Sequence, residues 1–169
     1  WAESVSVLLK YLIERRGYTV IKHVTLVNEP NGSFGNGNNV IDFSYYSDMY
    51  RVTSRKLEKD GIRNKVQLVG PDDSDDYSWF QNSLQSLDDV IDIYDSHNGR
   101  FGIDDVSPSY VELIRNWVLA RTSVIRSKKK FLINEFGTNQ IFNWGYCPPG
   151  CDVDTFDRGL FLAAFATEA

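Results

Sequence analysis

No apolar run in this sequence approaches the roughly 18 residues that a membrane-spanning helix needs, so no membrane partner is expected. There is no long basic run either, and the formal net charge is −5. Both argue against nucleic acid as the main partner. The short clusters Arg15-Arg16 and Lys128-Lys129-Lys130 each follow a helical pattern, where they complement a helix C-terminus. The two cysteines, Cys147 and Cys151, both fall in "CPPGC". No second Cys or His cluster accompanies them, so a zinc site is not expected. They read equally as a local disulfide or as two thiols beside a Pro-Pro turn. The disulfide would imply an oxidising setting, secreted or periplasmic. Signal peptide and initiator Met are both missing, and Trp1 already lies inside a helical pattern. The chain is therefore expected to be a segment of something longer.

What is present suits a folded domain. The 169 residues are 42% hydrophobic and 14% aromatic, enough for a core and within the size of one domain. "WAESVSVLLKYLIERRG" carries Trp1, Val5, Leu8, Leu9, Leu12 and Ile13 on one helical face and stops at Gly17. "YTVIKHVTLVN" is a β-rich run ending at Asn28, followed by the Gly/Asn loop "NGSFGNGNN". Asp42 to Lys59 reads as helix, with Phe43, Tyr46, Tyr50 and Leu57 on one side. "KVQLVGP" is a short strand broken at Gly70-Pro71, and "DDSDDYS" is a polar loop. Phe80, Leu84 and Leu87 mark a short helix, and "VIDIYDSHNG" a third strand. In "SPSYVELIRNWVLARTSVIR", Ser107 is the N-cap and Pro108 the first helical residue, with Val111, Ile114, Val118 and Ile125 inward. "KKFLINEFG" is a fourth strand. An aromatic loop and a helix with Phe156, Leu160, Ala163 and Ala164 close the chain.

The order α-βα-βα-βα-βα predicts a parallel sheet covered by helices. A doubly wound open sheet and part of a (β/α)8 barrel both fit. A doubly wound nucleotide binder needs a Gly-rich phosphate turn after its first strand. "NEPNGSFGNG" has glycines without the G-x-G-x-x-G spacing, and a carboxylate stands where phosphate would approach. Four βα units make half of a barrel whose usual length is about 250 residues.

The polar residues that stand out collect at the C-terminal ends of the strands, the rim where parallel α/β folds carry ligands. These ends read Asn28-Glu29-Pro30, Gly70-Pro71-Asp72-Asp73, Asp95-Ser96-His97-Asn98 and Asn134-Glu135-Phe136-Gly137. Taken singly each has a plain reading: a turn at Glu29-Pro30, helix-capping or solvated loop residues at Asp72 and Asp73, a satisfied core histidine at His97. Jointly, two glutamates, each preceded by Asn, end strands three units apart. Two neighbouring buried carboxylates are costly without a task. Glycoside hydrolysis gives them one. One carboxyl, protonated, donates to the leaving oxygen; the other, ionised, attacks the anomeric carbon or activates water. Pro30 is expected to hold Glu29 in extended geometry, so that the strand carries the carboxylate to the rim.

"VNEPNG" and "INEFG" resemble the fourth and seventh barrel strands of the retaining β-glycosidase clan, which includes cellulase-like, mannanase-like and β-glucosidase-like enzymes. The resemblance implies a partial (β/α)8 barrel. Residues 1–169 would be a single catalytic-domain segment covering strands four to seven, with strands one to three and eight supplied by the same parent chain. It implies Glu29 as acid/base, Glu135 as nucleophile and Asn28 as partner of the sugar 2-hydroxyl. The substrate would be a β-linked oligo- or polysaccharide, and no metal or organic cofactor is required. His97 and Asn98 are expected to line the site, and Trp144 to stack on sugar, with Trp79, Tyr146, Phe34 and Phe101 as further aromatic candidates. The sixth-strand match is incomplete: many clan members have His-x-Tyr there, and this chain has His97-Asn98-Gly99. Two other readings stay open, a carbohydrate-binding barrel without activity and a doubly wound small-molecule-binding domain. The 169 residues in isolation are expected to be poorly stable and inactive, since half a barrel leaves sheet edges and a core face uncovered.

Overall fold

The computed structural model of the chain describes residues 1–32, 41–101 and 108–138. The last expected helix, Trp144, Tyr146, Phe34 and both cysteines lie outside the described residues. The chain forms two compact units. The first comprises Trp1–His97 and Ser127–Asn134, the second Asn98–Arg126 and Glu135–Ala169.

In the first unit the apolar 3.6-residue pattern of the opening segment becomes α1 (Ala2–Lys10), extended by a π turn over Tyr11–Arg15. Its Leu9 is buried. After β1 (His23–Thr25) comes α2 (Phe43–Lys59). Asp42 caps α2, its side chain accepting the N–H groups of Ser44 and Tyr45, which lack partners within the helix. β2 (Gln67–Ser74) leads to α3 (Tyr77–Leu87), capped in the same way by Asp76 through Ser78 and Trp79. β3 (Ile93–Phe101) and β4 (Lys130–Leu132) complete the elements. The strands pair in parallel in the order β1-β2-β3-β4. Neighbours in sequence are thus neighbours in the sheet, with a helix in each of the crossovers β1–β2 and β2–β3, as the alternating pattern requires.

The core lies between the sheet and its helices. Tyr46, Tyr50 and Leu57 of α2 and Phe80 and Leu87 of α3 are buried, as are Leu68, Val69, Ile93 and Tyr94 of the strands. Phe80 packs against Tyr94 at 5.7 Å and edge-on against Phe131 at 5.8 Å, favourable aromatic geometries. Gly70 is the point of closest approach. A Cβ there would sit 2.8 Å from the Tyr50 hydroxyl and 3.0 Å from that of Tyr46. Because Gly70 has none, Tyr50 donates to the Val69 carbonyl at 2.6 Å and Tyr46 to the Pro71 carbonyl at 3.0 Å. Two buried hydroxyls therefore fix the β2 backbone just before Asp72.

Three expectations change. The run over residues 18–28 forms a ladder only at His23–Thr25, because its partner β2 begins at Gln67, opposite His23. Tyr18 and Val20, despite their β propensity, are exposed. Gly70-Pro71 does not break β2. The strand runs through this cis peptide to Ser74, and three steps on β2, Gly70 to Asp73, match two on β3, Tyr94 to Ser96. That extra residue is a β-bulge. Finally, "KKFLINEFG" is two short strands, not one. β4 ends at Leu132 and β5 (Phe136–Thr138) starts beyond Glu135.

The second unit holds α4 (Pro108–Thr122), whose Pro108 is the first helical residue, as expected of a ring with fixed φ and no N–H. Ile114 is buried, and the Arg121 guanidinium lies 3.9 Å from the centre of the Trp117 ring. In this unit the end of β3 pairs in parallel with β5, Asn98 opposite Phe136.

Candidate active site

The stretch around Glu29 is bound to the end of β2 by two hydrogen bonds and closed by a turn of its own. The Glu29 N–H donates to Asp72 Oδ2 at 3.3 Å, and the Ser74 N–H donates to Asn31 Oδ1 at 2.8 Å. A turn closes at Gly32, whose N–H reaches the Glu29 carbonyl at 2.8 Å. A Cβ on Gly32 would stand 3.2 Å from both the Cβ and the carbonyl oxygen of Glu29, so a side chain there would press on the glutamate. Asn28 is exposed, one residue before it.

Glu29 is not extended. Its φ is +42°, in the left-handed region. Pro30 disfavours the right-handed helical region for the residue before it, and the left-handed region also satisfies that demand. The hydrogen bonds at Glu29 N and O hold it there at a cost of about 1–2 kcal/mol.

The carboxylate of Glu29 is largely covered, with 17% of its side chain exposed, and Oε1 lies 2.8 Å from His97 Nδ1. His97, 4% exposed, sits on β3 opposite Ser74, which brings it beside the β2 end. Its other nitrogen, Nε2, lies 3.1 Å from Asp72 Oδ1. Behind it, Asn134 Nδ2 donates to Asp72 Oδ1 at 2.5 Å and to Asp95 Oδ2 at 2.8 Å, and the Asp72 N–H donates to Asp95 Oδ1 at 2.7 Å. Asn134 can do this because the chain leaves the ladder after Leu132. Ends of all four strand segments thus meet in one polar cluster: Glu29, Asp72, His97 with Asp95, and Asn134.

Asp72 and Asp73 are neither caps nor solvated loop residues. Both are buried, at 2% and 0% exposure, and capping falls to Asp76. The bulge explains how two consecutive residues are buried, since it interrupts side-chain alternation; Asp72 itself has φ +58°. Burial alone would raise the Asp72 carboxyl. Hydrogen bonds from His97, Asp95 and Asn134 reverse this and hold it below the ordinary carboxylate range. Asp95 goes the other way: burial first, then the neighbouring Asp72, push it well above that range. Two adjacent buried carboxyls cannot both ionise cheaply, and here the one with more donors takes the charge.

Asp72, Asp95 and Asn134 are the members of this cluster that sequence reasoning did not select. Their only signal was position, each at a strand's C-terminal end. Trp79, a stacking candidate, belongs to the core instead: it is 8% exposed and packs edge-on against Phe43 at 5.0 Å and Tyr46 at 5.5 Å.

In the second unit Glu135 is exposed, and its carbonyl accepts the Asn98 N–H at 2.9 Å. Asn98 is fully buried. Neither polar atom of its amide has a partner among the described residues. Trp144 lies outside the described residues.

No protein-family model and no curated protein sequence matches this chain. Solved structures do. The chain is similar to a GH39 β-xylosidase from Caulobacter crescentus, at 16% identity and a TM-score of 0.64, covering 99% of this chain and 35% of that one. A GH26 β-mannanase from Bacteroides ovatus matches at 21% identity and a TM-score of 0.56, over 88% of this chain and 44% of that one. A GH39 enzyme from Xanthomonas axonopodis pv. citri matches at 17% identity and a TM-score of 0.52, over 88% and 31%. The chain therefore spans about a third of the length of the GH39 structures it matches. What is shared at these identities is the fold, consecutive parallel βα units as in part of a (β/α)8 barrel.

Proposed function

We propose that these residues carry the acid/base and the nucleophile of a retaining glycoside hydrolase acting on a β-linked glycan. The observation that carries the reading is the Glu29–His97 contact. A glutamate in the "NEP" motif, beyond a parallel strand's C-terminal end, is held at 2.8 Å by a ring nitrogen, in a fold shared with xylosidase and mannanase structures. A carboxyl that alternately gives and takes a proton needs a partner able to bond it in both states, and an imidazole nitrogen is one.

In the first step Glu29 protonates the glycosidic oxygen as Glu135 attacks the anomeric carbon. The C–O bond to the leaving group breaks and a glycosyl-enzyme ester forms. In the second, Glu29 takes a proton from water, which attacks the same carbon and releases Glu135. Retention requires the two carboxyl groups about 5–5.5 Å apart in the working enzyme, against about 6.5–9.5 Å for inversion. Asn28 bonds the sugar 2-hydroxyl, Trp144 stacks on a sugar ring, and Asn98 supports the Glu135 strand through its backbone N–H.

The test uses these residues in their natural chain. Glu135→Ala should nearly abolish turnover of an aryl β-glycoside, and azide should restore it, giving a glycosyl azide of inverted configuration. Wild-type turnover in that variant removes the nucleophile assignment. Gly99, where a tyrosine would complete His-x-Tyr, favours a second reading: a barrel that binds glycans without hydrolysing them. Glycan binding by the unsubstituted protein with no turnover would select it.

A further inference from the structure

Asp72 reaches Glu29 by two routes. Its Oδ2 accepts the backbone N–H of Glu29 at 3.3 Å. Its Oδ1 lies 3.1 Å from His97 Nε2, and the other nitrogen of that ring lies 2.8 Å from Glu29 Oε1. The contacts close a ring, from the Glu29 backbone through Asp72 and His97 to the Glu29 carboxylate. Asn134 Nδ2 adds a further donor to Asp72 Oδ1 at 2.5 Å.

The donor inventory settles one proton. A backbone N–H and an amide N–H already end on Asp72, and an ionised carboxylate accepts only. A ring nitrogen facing it must carry hydrogen, because a bare nitrogen would set lone pair against lone pair. We propose that Asp72 is a positioning residue that fixes a proton on His97 Nε2, so that His97 Nδ1 and Glu29 Oε1 share the proton used in catalysis. This rests on the reading of Glu29 as acid/base. With a neutral ring, bare Nδ1 accepts from the Glu29 carboxylic acid. With a protonated ring, Nδ1–H donates to the Glu29 carboxylate. These are two placements of one proton, which the pair holds before the leaving oxygen is protonated and regains from the attacking water, while Nε2 keeps its own hydrogen throughout.

The groups around Asp72 agree. Burial and then the neighbouring Asp72 push Asp95, the other carboxyl at Asn134, well above the ordinary carboxylate range, which disfavours a second anion beneath the ring. From α2 the Tyr46 and Tyr50 hydroxyls face the backbone carbonyls of Pro71 and Val69, and burial raises both phenols, which stay neutral.

The test reads the ring directly. The protein in its natural chain is labelled with 15N-histidine, and the His97 signals are identified by their loss in His97→Gln; exposed His23 serves as an internal reference. In the unsubstituted protein near neutral pH, Nε2 should carry hydrogen and Nδ1 should show intermediate, shared character. In Asp72→Asn the ring should become a mixture of tautomers, and kcat on an aryl β-glycoside should fall by about 100-fold with KM little changed. A bare Nε2 in the unsubstituted protein overturns the proposal whatever the variants do. So does an unchanged tautomer in a folded Asp72→Asn. Protonated Nε2 that is lost in Asp72→Asn, in a protein with no turnover, upholds the role of Asp72 in fixing the ring and removes the hydrolase reading instead.

Discussion

The backbone N–H of Glu29 ends on the side chain of Asp72, a residue 43 positions away at the end of the next strand. That bond links the loop after β1 to the bulge of β2. The candidate acid is thereby held by the sheet rather than by its own loop alone. The bulge depends in turn on Gly70 and the two tyrosine hydroxyls beneath it.

Gly70→Ala should therefore destabilise the protein by about 1–3 kcal/mol, the usual cost of overpacking a core. The new methyl would meet the Tyr50 hydroxyl at 2.8 Å. Urea denaturation measures it. A change within about 0.5 kcal/mol would mean that the tyrosines do not close on this strand.

Asp76→Ala should cost about 1 kcal/mol, because the N–H groups of Ser78 and Trp79 lose the carboxylate that accepts them. Replacement by Asn should recover most of the loss, since its side-chain oxygen can accept the same bonds. Thermal melts of both variants test this, and equal losses in the two would contradict the capping role.

Stability should depend on pH in two opposite windows. Asp72 has a lowered folded-state pKa, so its contribution is present above the unfolded value of about 3.9 and is lost as pH falls below it. Asp95 has a raised folded-state pKa. The unfolded chain releases that proton above about pH 3.9 while the folded protein keeps it, so stability falls from there as pH rises towards the folded value. Asp95→Asn cannot titrate. The stability difference between wild type and this variant, measured by denaturation from pH 4 to 8, should shift steadily in favour of the variant. A difference independent of pH would show that Asp95 is not held protonated.

Much of the frame was legible in the sequence because it rests on local, periodic signals. The apolar spacing of α1 and α2, Pro108 at the start of α4, and the alternation of strand and helix each predict an element that the structure contains. Glu29 and His97 were legible as strand-end residues. Asp72 was not, because "DDSDDYS" looks like any solvated acidic loop. Its burial depends on donors from Glu29, His97 and Asn134, which lie on three other segments, and on a bulge that no local pattern announces. The left-handed turn at Glu29 was hidden for the same reason. Pro30 narrows the choices for that residue, but the choice is made by bonds to Asp72 and Gly32. Trp79 shows the converse: a loop-edge aromatic in the sequence becomes core once α2 packs against it.

The central claim is that Glu29 and Glu135 perform a double displacement. Its most direct test is the anomer formed first when the natural chain hydrolyses an aryl β-glycoside, followed by proton NMR before mutarotation. The account predicts the β-anomer. Initial release of the α-anomer would contradict it.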